Sequence, residues 1–469
     1  MRSAGSELGA AVLAAGLGER LRACGCPKPL VRVAGLPLVE RAVRTLRAGG
    51  VRGKTMVVVG HRGEEVAEFV RSRFPDVEVL ENPDYARGNG TSVLGAVPHL
   101  PERFVVAMVD HVHTPDSVRR LIATPGDFVA AVDSRPSFAD PGEATRVRLE
   151  SGRVVALGKG LEPYDALDAG LFVCSRAALE PLGGEPGPLS WNAIKRKWLA
   201  SGGELAACDL AGAPWADVDT PEDIERAVDA VLAATRGSRD GFISRHLNRR
   251  LGRGITRRLL DTSVTPDQVS LMSFALAAAS AGLLARGSLA AGGVLVQLSS
   301  VLDGCDGELA RARLESSAEG QVLDAVLDRG ADALIIAGMA LGSRSRWGVQ
   351  AGFLALAGAL MVPYTRARWE AAFGEVPEEF TGFAATRDVR LGVLALGALT
   401  GVPASALLAV GAGAAAEVVR RLLALRGRRL GERDGREESG GEHLSDEDTL
   451  GDRRFGGRGA GGAYGGGAG

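Results

Sequence analysis

From residue 10 to about residue 235, short apolar runs alternate with stretches whose apolar positions recur every three or four residues. Residues 10–15, 55–60, 77–81, 104–110, 128–133, 154–157 and 171–175 are short and apolar, bounded by polar, Gly or Pro residues, and predict strands. Residues 38–48 and 64–74 carry helical spacing between them. Strands alternating with helices predict an α/β domain with a largely parallel sheet. Thr220-Pro221-Glu222-Asp223 predicts a helix start: a Thr cap, Pro in the first turn and acids against the dipole. That helix closes the domain near Ala234.

The texture changes at Val269. Residues 269–285, 289–302, 331–341, 349–364, 391–399 and 403–419 are strongly apolar. Several fall short of the roughly 20 residues a spanning helix needs, but lengthen if their polar ends, 303–313 and 321–328, are helical too. The pattern predicts an all-α domain of six transmembrane helices. Arginines at 245–258, 366–368, 387–390 and 420–429 then share one side, the cytoplasmic one by the positive-inside rule, with Arg344 and Arg346 opposite. The stretch 236–262 between the halves repeats Leu247, Leu251, Ile255 and Leu259 among arginines, the pattern of a basic helix lying on a membrane surface. After Arg426 the chain turns charged and then Gly-rich, and disorder is expected. The expected domains are 1–235, a basic juxtamembrane helix or linker at 236–262, a membrane domain at 263–428 and a tail at 429–469.

Composition changes this picture little. A formal net charge of −2 on 469 residues gives no global reason to bind nucleic acid. Five cysteines fit neither a zinc site nor a disulfide framework, which suits a reducing compartment. The first residues lack a signal-peptide pattern. Mean hydropathy is slightly positive, high for a purely soluble chain.

Candidate chemistry concentrates first in residues 302–329. They read D-x-x-D-G-x-x-A-R, eight residues, then G-x-x-x-D-x-x-x-D. On helices, Asp303 and Asp306 share one face, and Asp324 and Asp328 share another. Acids beside apolar helices are costly unless they hold something cationic, and hard oxygen donors suit Mg²⁺, with Mn²⁺ as the alternative. The stretch resembles the CDP-alcohol phosphotransferase family at all eight fixed positions: Asp303, Asp306, Gly307, Ala310, Arg311, Gly320, Asp324 and Asp328. The resemblance implies that Asp303, Asp306 and Asp324 hold metal with help from Asp328, which also serves as general base. Gly307 and Gly320 allow close approach of nucleotide and helices, Arg311 meets a phosphate, and Arg366, Arg368, Arg387 and Arg390 are candidates for the acceptor's phosphate.

A second set opens the chain. After the first strand come Leu13-Ala14-Ala15-Gly16-Leu17-Gly18-Glu19-Arg20 and then Pro27-Lys28-Pro29-Leu30. Small residues let backbone amides approach a triphosphate, while Arg20 and Lys28 neutralise it. Asp110 ends an apolar strand, and Trp215-Ala216-Asp217-Val218-Asp219 comes late in the domain. Asn82, Gly88, Thr91, Ser92, Thr145, Lys159 and Asp168 fall on loops where an α/β sheet binds ligand, and Lys159 suits a substrate phosphate. His111 and His113 are expected to flank the site without chemistry. Together these segments resemble the sugar-phosphate nucleotidyltransferases. That resemblance implies an α/β nucleotidyltransferase fold with a Rossmann-like mixed sheet, and Mg²⁺ bound by Asp110 with Asp217 or Asp219.

The whole arrangement, about 430 residues of this chain, resembles the bifunctional inositol-1-phosphate cytidylyltransferase / di-myo-inositol-phosphate-phosphate synthase family. Supporting stretches are 143–147, 158–162, 164–170 and 386–390. The resemblance implies that CTP and L-myo-inositol 1-phosphate give CDP-inositol. A second inositol 1-phosphate then gives the phosphorylated di-inositol diester and CMP. It also implies a multi-pass protein of the cell membrane, catalytic parts facing the cytoplasm, and a homodimer formed through the membrane domain. The alternative keeps the cytidylyltransferase but transfers a head group to a lipid. Two more distant readings, an inert membrane anchor and a nucleotide-sensing scaffold, conflict with the complete acid motif and with Lys28, Asp110 and Asp328.

Overall fold

The computed structural model describes residues 7–182, 187–235, 249–374, 376–377, 380 and 386–441; for 249–250 and 427–441 it describes the backbone alone. A nine-stranded sheet forms the first half, in the order Glu78–Glu81, Thr55–Val59, Gly9–Ala14, Arg103–Met108, Ala166–Ser175, Phe128–Asp133, Ala206–Asp209, Arg153–Gly158, Arg146–Glu150. The first four are mutually parallel. Ala166–Ser175 runs antiparallel to both its neighbours, so the sheet is mixed. Gly9–Ala14 and Phe128–Asp133 are buried along their whole length. Helices cover both faces there, which is why these strands read as continuous apolar runs rather than as alternation. The helix Leu38–Ala48 lies where its spacing places it, and the Thr220 start opens a helix over Pro221–Ala234.

A small antiparallel ladder matters more for the site. His111–Val112 pairs with Ala216–Asp217, with Asp217 opposite His111. This ladder brings the end of one central strand against a segment more than a hundred residues later.

The second half is helical: Pro266–Ala285, Leu289–Ala312, Ala318–Gly342, Arg346–Phe373, Arg387–Leu399 and Pro403–Gly441. Two of these, Pro266–Ala285 and Arg346–Phe373, are long and apolar enough to cross a membrane. Small residues set their packing: a Cβ at Gly338 or Gly342 would run into the carbonyls of Ala281 and Leu284 on the Pro266–Ala285 helix. The last helix continues past the boundary expected at 428, and residues 442–469 of the expected tail lie outside the described residues.

The halves are joined by one apolar cluster, in which Val33, Val39 and Val43 of the first share a core with Leu260, Cys305, Leu309 and Ala312 of the second. A polar seam runs beside it. Arg41, only 3% exposed, donates to the carbonyls of Val33, Ala34 and Ala312. Arg44 donates to the Arg313 carbonyl at 3.0 Å, and Arg311 Nε to that of Thr235 at 3.0 Å. Arg313 in turn donates to the carbonyls of Leu259, Leu260, Thr262 and Val264.

The connector is expected to be a basic helix or linker. Its described part is a helix over Arg249–Leu259. Arg257 pairs with Glu225 and, at 2.8 Å, Asp229 on the Pro221–Ala234 helix. Thr256 donates to Glu308 at 2.7 Å. Through these contacts the helix braces the two halves. Arg245 and Leu247 lie outside the described residues.

Candidate active sites

The first site gathers at the end of the Gly9–Ala14 strand. A cavity of about 180 Å³ is lined by Leu13, Ala15, Gly16, Gly18, Lys28, Ser92 and Asp110, all singled out in the sequence. Ala14 lies buried within the strand. Gly18 has φ +57°, and a Cβ there would meet the Lys28 side chain at 2.6 Å, so both backbone and space call for glycine.

Lys28 Nζ donates to Asp110 Oδ2 and Asp219 Oδ1, each at 2.6 Å. Burial opposes the lysine's charge, but the two carboxylates outweigh it and raise its pKa. Asp110 is held well below the usual carboxylate range: burial disfavours its charge, and Lys28 and His111 overcome that. Asp223 fixes Asp219 from below by accepting from the Asp219 and Thr220 amides at 2.9 and 2.8 Å. Asp217 stands apart: its Oδ1 is buried with no hydrogen-bond partner among the described residues, and burial raises its pKa.

Other expected residues divide. Arg20 reaches Glu143 at 3.4 Å and Asp219 at 3.5 Å, and Lys159 lies 4.0 Å from the same Glu143. Asn82 donates to Thr91 and Ser92, both at 2.9 Å, tying a strand end to a helix start. Gly88, at φ +122°, sits against the Leu189 carbonyl. His111 Nδ1 is 2.8 Å from Asp110 Oδ1, and the rings of His111, His113 and Trp215 lie nearly parallel. Asp168 pairs with Lys195, which is 1% exposed, and Thr145 accepts from Asn192 at 3.0 Å. Tyr85 and Asn89 line the cavity. Sequence reasoning passed over Lys195 and Tyr85.

The second site forms where the Leu289–Ala312 and Ala318–Gly342 helices meet. Asp303, Asp324 and Asp328 each offer an oxygen, and these atoms lie within 4.8 Å of one another. Asp306 is turned away from that point: it accepts from the Ser270 hydroxyl and the Gly307 amide. It lines a neighbouring cavity of about 370 Å³ with Ser270, Gly307, Arg311, Gly320 and Asp324. Arg387 reaches Asp303 at 2.5 Å, Asp328 at 2.6 Å and Asp332 at 2.9 Å. Arg390 is buried against Asp332 at 3.4 Å. Both arginines were candidates for an acceptor phosphate, and both are committed to carboxylates here. Asp332 and Ser270 carried no sequence signal, since neither belongs to the acid motif.

The donor sets fit the chemistry implied for them. Three clustered carboxylates suit a hard divalent cation. In the first site, one cationic group already lies between Asp110 and Asp219, whereas Asp217 is outside that pair.

Known proteins match both halves. Residues 10–182 match the model of the MobA-like NTP transferase domain, and residues 263–418 that of CDP-alcohol phosphatidyltransferase. The chain is similar to a Rubrobacter xylanophilus protein named Bifunctional IPC transferase and DIPP synthase, 68% identical over 430 residues, covering 91% of this chain and 98% of the relative. Proteins of the same name from Archaeoglobus fulgidus and Thermococcus kodakarensis are each 38% identical, over 78% of this chain and 72% and 83% of their own lengths. With both halves matched and their order preserved, the chain belongs to the family of bifunctional IPC transferase and DIPP synthase proteins.

Proposed function

We propose that this chain makes CDP-inositol in its first half and consumes it in its second. The likeness to the Rubrobacter relative, continuous across 91% of the chain, carries that reading.

In the first reaction, a phosphate oxygen of L-myo-inositol 1-phosphate attacks the α-phosphorus of CTP. The new P–O bond forms as the α–β bridging bond breaks, and pyrophosphate leaves. The attacker is already an anion, so positioning and charge neutralisation suffice. Leu13 to Gly18 give the triphosphate close backbone amides, and Lys28 and Arg20 give it positive charge. Asp110 and Asp219 are the better pair to hold Mg²⁺, a reading supported by their convergence on one cationic group, Lys28 Nζ. Asn82 and Gly88 shape the loop around Ser92, and Lys159 with Arg20 faces the polyol phosphate.

In the second reaction, a hydroxyl of another inositol 1-phosphate attacks the β-phosphorus of CDP-inositol, and CMP leaves. Asp328 takes the hydroxyl proton. Gly307, Arg311 and Gly320 bind the CDP portion. Asp303, Asp324 and Asp328, with Asp306 behind them, would hold Mg²⁺ or Mn²⁺, which when bound neutralises the diphosphate. The helical half is read as a six-helix membrane domain, with both sites on the cytoplasmic side of the cell membrane and a homodimer formed through it.

Membranes supplied with Mg²⁺, labelled CTP and L-myo-inositol 1-phosphate test this reading. Wild type should yield CMP and a di-inositol product, and Asp328→Ala should accumulate CDP-inositol. Absence of CDP-inositol from both would refute the inositol assignment. CDP-inositol in both, with no onward product, would move the reading to a lipid acceptor.

A further inference from the structure

The Asp110 carboxylate has two side-chain partners among the described residues: Lys28 on Oδ2 at 2.6 Å and His111 on Oδ1 at 2.8 Å. Lys28 is assigned above to the triphosphate, which leaves His111 as the lasting partner. With a lysine on its other oxygen, Asp110 is a carboxylate and can only accept, so the proton between the two sits on His111 Nδ1. The main chain is fixed separately. Asp217 faces His111 across the short ladder, and the Val218 amide donates to the Asp110 carbonyl at 2.9 Å. Those bonds set where the Asp110 backbone stands but not how its carboxylate is turned.

Two further elements grip the His111 ring. The first is Trp215, parallel to it within 5° at 5.8 Å between ring centres. Trp215 is 1% exposed, and its Nε1 donates to Asp133 Oδ2 at 2.8 Å. The other oxygen of Asp133 accepts from the Arg135 and Gly212 amides at 3.0 and 2.8 Å, so the indole has a fixed anchor.

The second is the backbone at Gly170. Its φ is +71°, and a Cβ there would lie 2.5 Å from His111 Cδ2, so conformation and contact both call for glycine. Gly170 falls where the register of Ala166–Ser175 against Phe128–Asp133 shifts, between Asp168 and Phe172. Asp168 holds this irregular turn: Oδ1 accepts from the Gly170 amide at 2.9 Å, and Oδ2 pairs with Lys195. The Lys195 ammonium also lies 4.7 Å from the centre of the Phe172 ring. A buried ion pair is weak evidence for stability, because desolvation offsets its attraction. What this pair does fix is the turn that packs on His111.

We infer that His111 is a positioning residue for the first reaction, turning the Asp110 carboxylate toward the site, with Trp215 and the Asp168-braced Gly170 turn keeping its ring in place. Asp110 holds Mg²⁺ in the function proposed above, and the role of His111 rests on that reading. A hydrogen-bond donor behind a ligating carboxylate orients it, and losing such a donor costs about 10- to 100-fold in metal affinity.

Equilibrium dialysis of the full chain in detergent, against Mn²⁺ and the non-cleavable α,β-methylene analogue of CTP, tests this. Asp303→Asn with Asp324→Asn serves as the background, removing two of the three clustered carboxylates of the second site so that retained metal reports the first. His111→Phe keeps a ring against Trp215 without the donor, whereas His111→Asn keeps a donor near the Nδ1 position. His111→Phe should weaken the retained Mn²⁺ by about 10- to 100-fold, and His111→Asn should restore most of it. With the second site intact, the Mg²⁺ needed for half-maximal pyrophosphate release should rise by the same factor in His111→Phe, and excess Mg²⁺ should recover the rate. Unchanged melting midpoints mark the variants as folded. If the phenylalanine does not fold, His111→Gln, whose amide reaches the Nε2 position instead, supplies the same contrast with asparagine. Wild-type metal binding in His111→Phe, equal losses with and without the donor, or no Mn²⁺ retained by the background protein overturns the inference. If wild type makes no CDP-inositol, the proposed substrate fails separately, and the dialysis, which contains no polyol, still decides the role of His111.

Discussion

Lys28 is where charge, burial and chemistry meet in the first half. It is nearly enclosed and touches two carboxylates, Asp110 and Asp219. Lys28→Met should therefore lower CDP-inositol formation by about 100- to 1000-fold, the size expected for losing one preorganised charge donor. Product release by the second half, supplied with CDP-inositol directly, should be unaffected. His113 makes a pH prediction. Its pKa falls from 6.5 to about 3 on folding. Below pH 6.5 the unfolded chain takes up a proton that the folded chain refuses, so stability present above 6.5 is lost as pH falls. The slope is about 1.4 kcal/mol per pH unit until pH nears 3. Urea midpoints from pH 7 to pH 4 should fall more steeply in wild type than in His113→Leu. Lys28 and Asp110 were legible because each ends or follows a strand within a compact motif. The Lys195–Asp168 pair and Asp332 were not, because their partners lie 27 and 55 residues away in sequence. Nothing local marks such a pair.

At the level of single elements, spacing served long helices well and short strands poorly. Leu38–Ala48 begins and ends where its apolar stripe does. Arg146–Glu150 reads Arg-Val-Arg-Leu-Glu and sits at a sheet edge, burying little, so no apolar run announces it. The two-residue strands His111–Val112 and Ala216–Asp217 are too short for any period, yet they hold the site together. The Ala318–Gly342 helix carries Asp324 and Asp328 and depends on Gly338 for its approach to the Pro266–Ala285 helix. Gly338→Leu should push these helices apart. A shift of about 1 Å can cost on the order of 100-fold in rate, so transfer from CDP-inositol should fall by that order. CTP-dependent pyrophosphate release should stay within about twofold.

Across the whole molecule, the seam outweighs any boundary drawn from composition. The change of texture at Val269 distinguishes an α/β half from a helical one, but gives no hint that Val39 and Leu309 share a core. Cross-domain packing leaves no periodic trace in either segment. Arg41→Met should cost about 1–3 kcal/mol by stranding carbonyls on both sides of the seam, Ala312 among them. Part of that cost is offset, because burial already pulls the Arg41 pKa down to about 10. Both activities should then decay earlier on heating, with coincident midpoints in wild type and variant alike; separate midpoints would show that the halves melt independently.

That common core also bears on supply. A cell carrying this chain cannot tune the dosage of one catalyst against the other, since each copy adds one of each and each copy that unfolds removes both. The intermediate is thus produced and withdrawn by equal numbers of centres, and only their relative speeds decide whether it builds up.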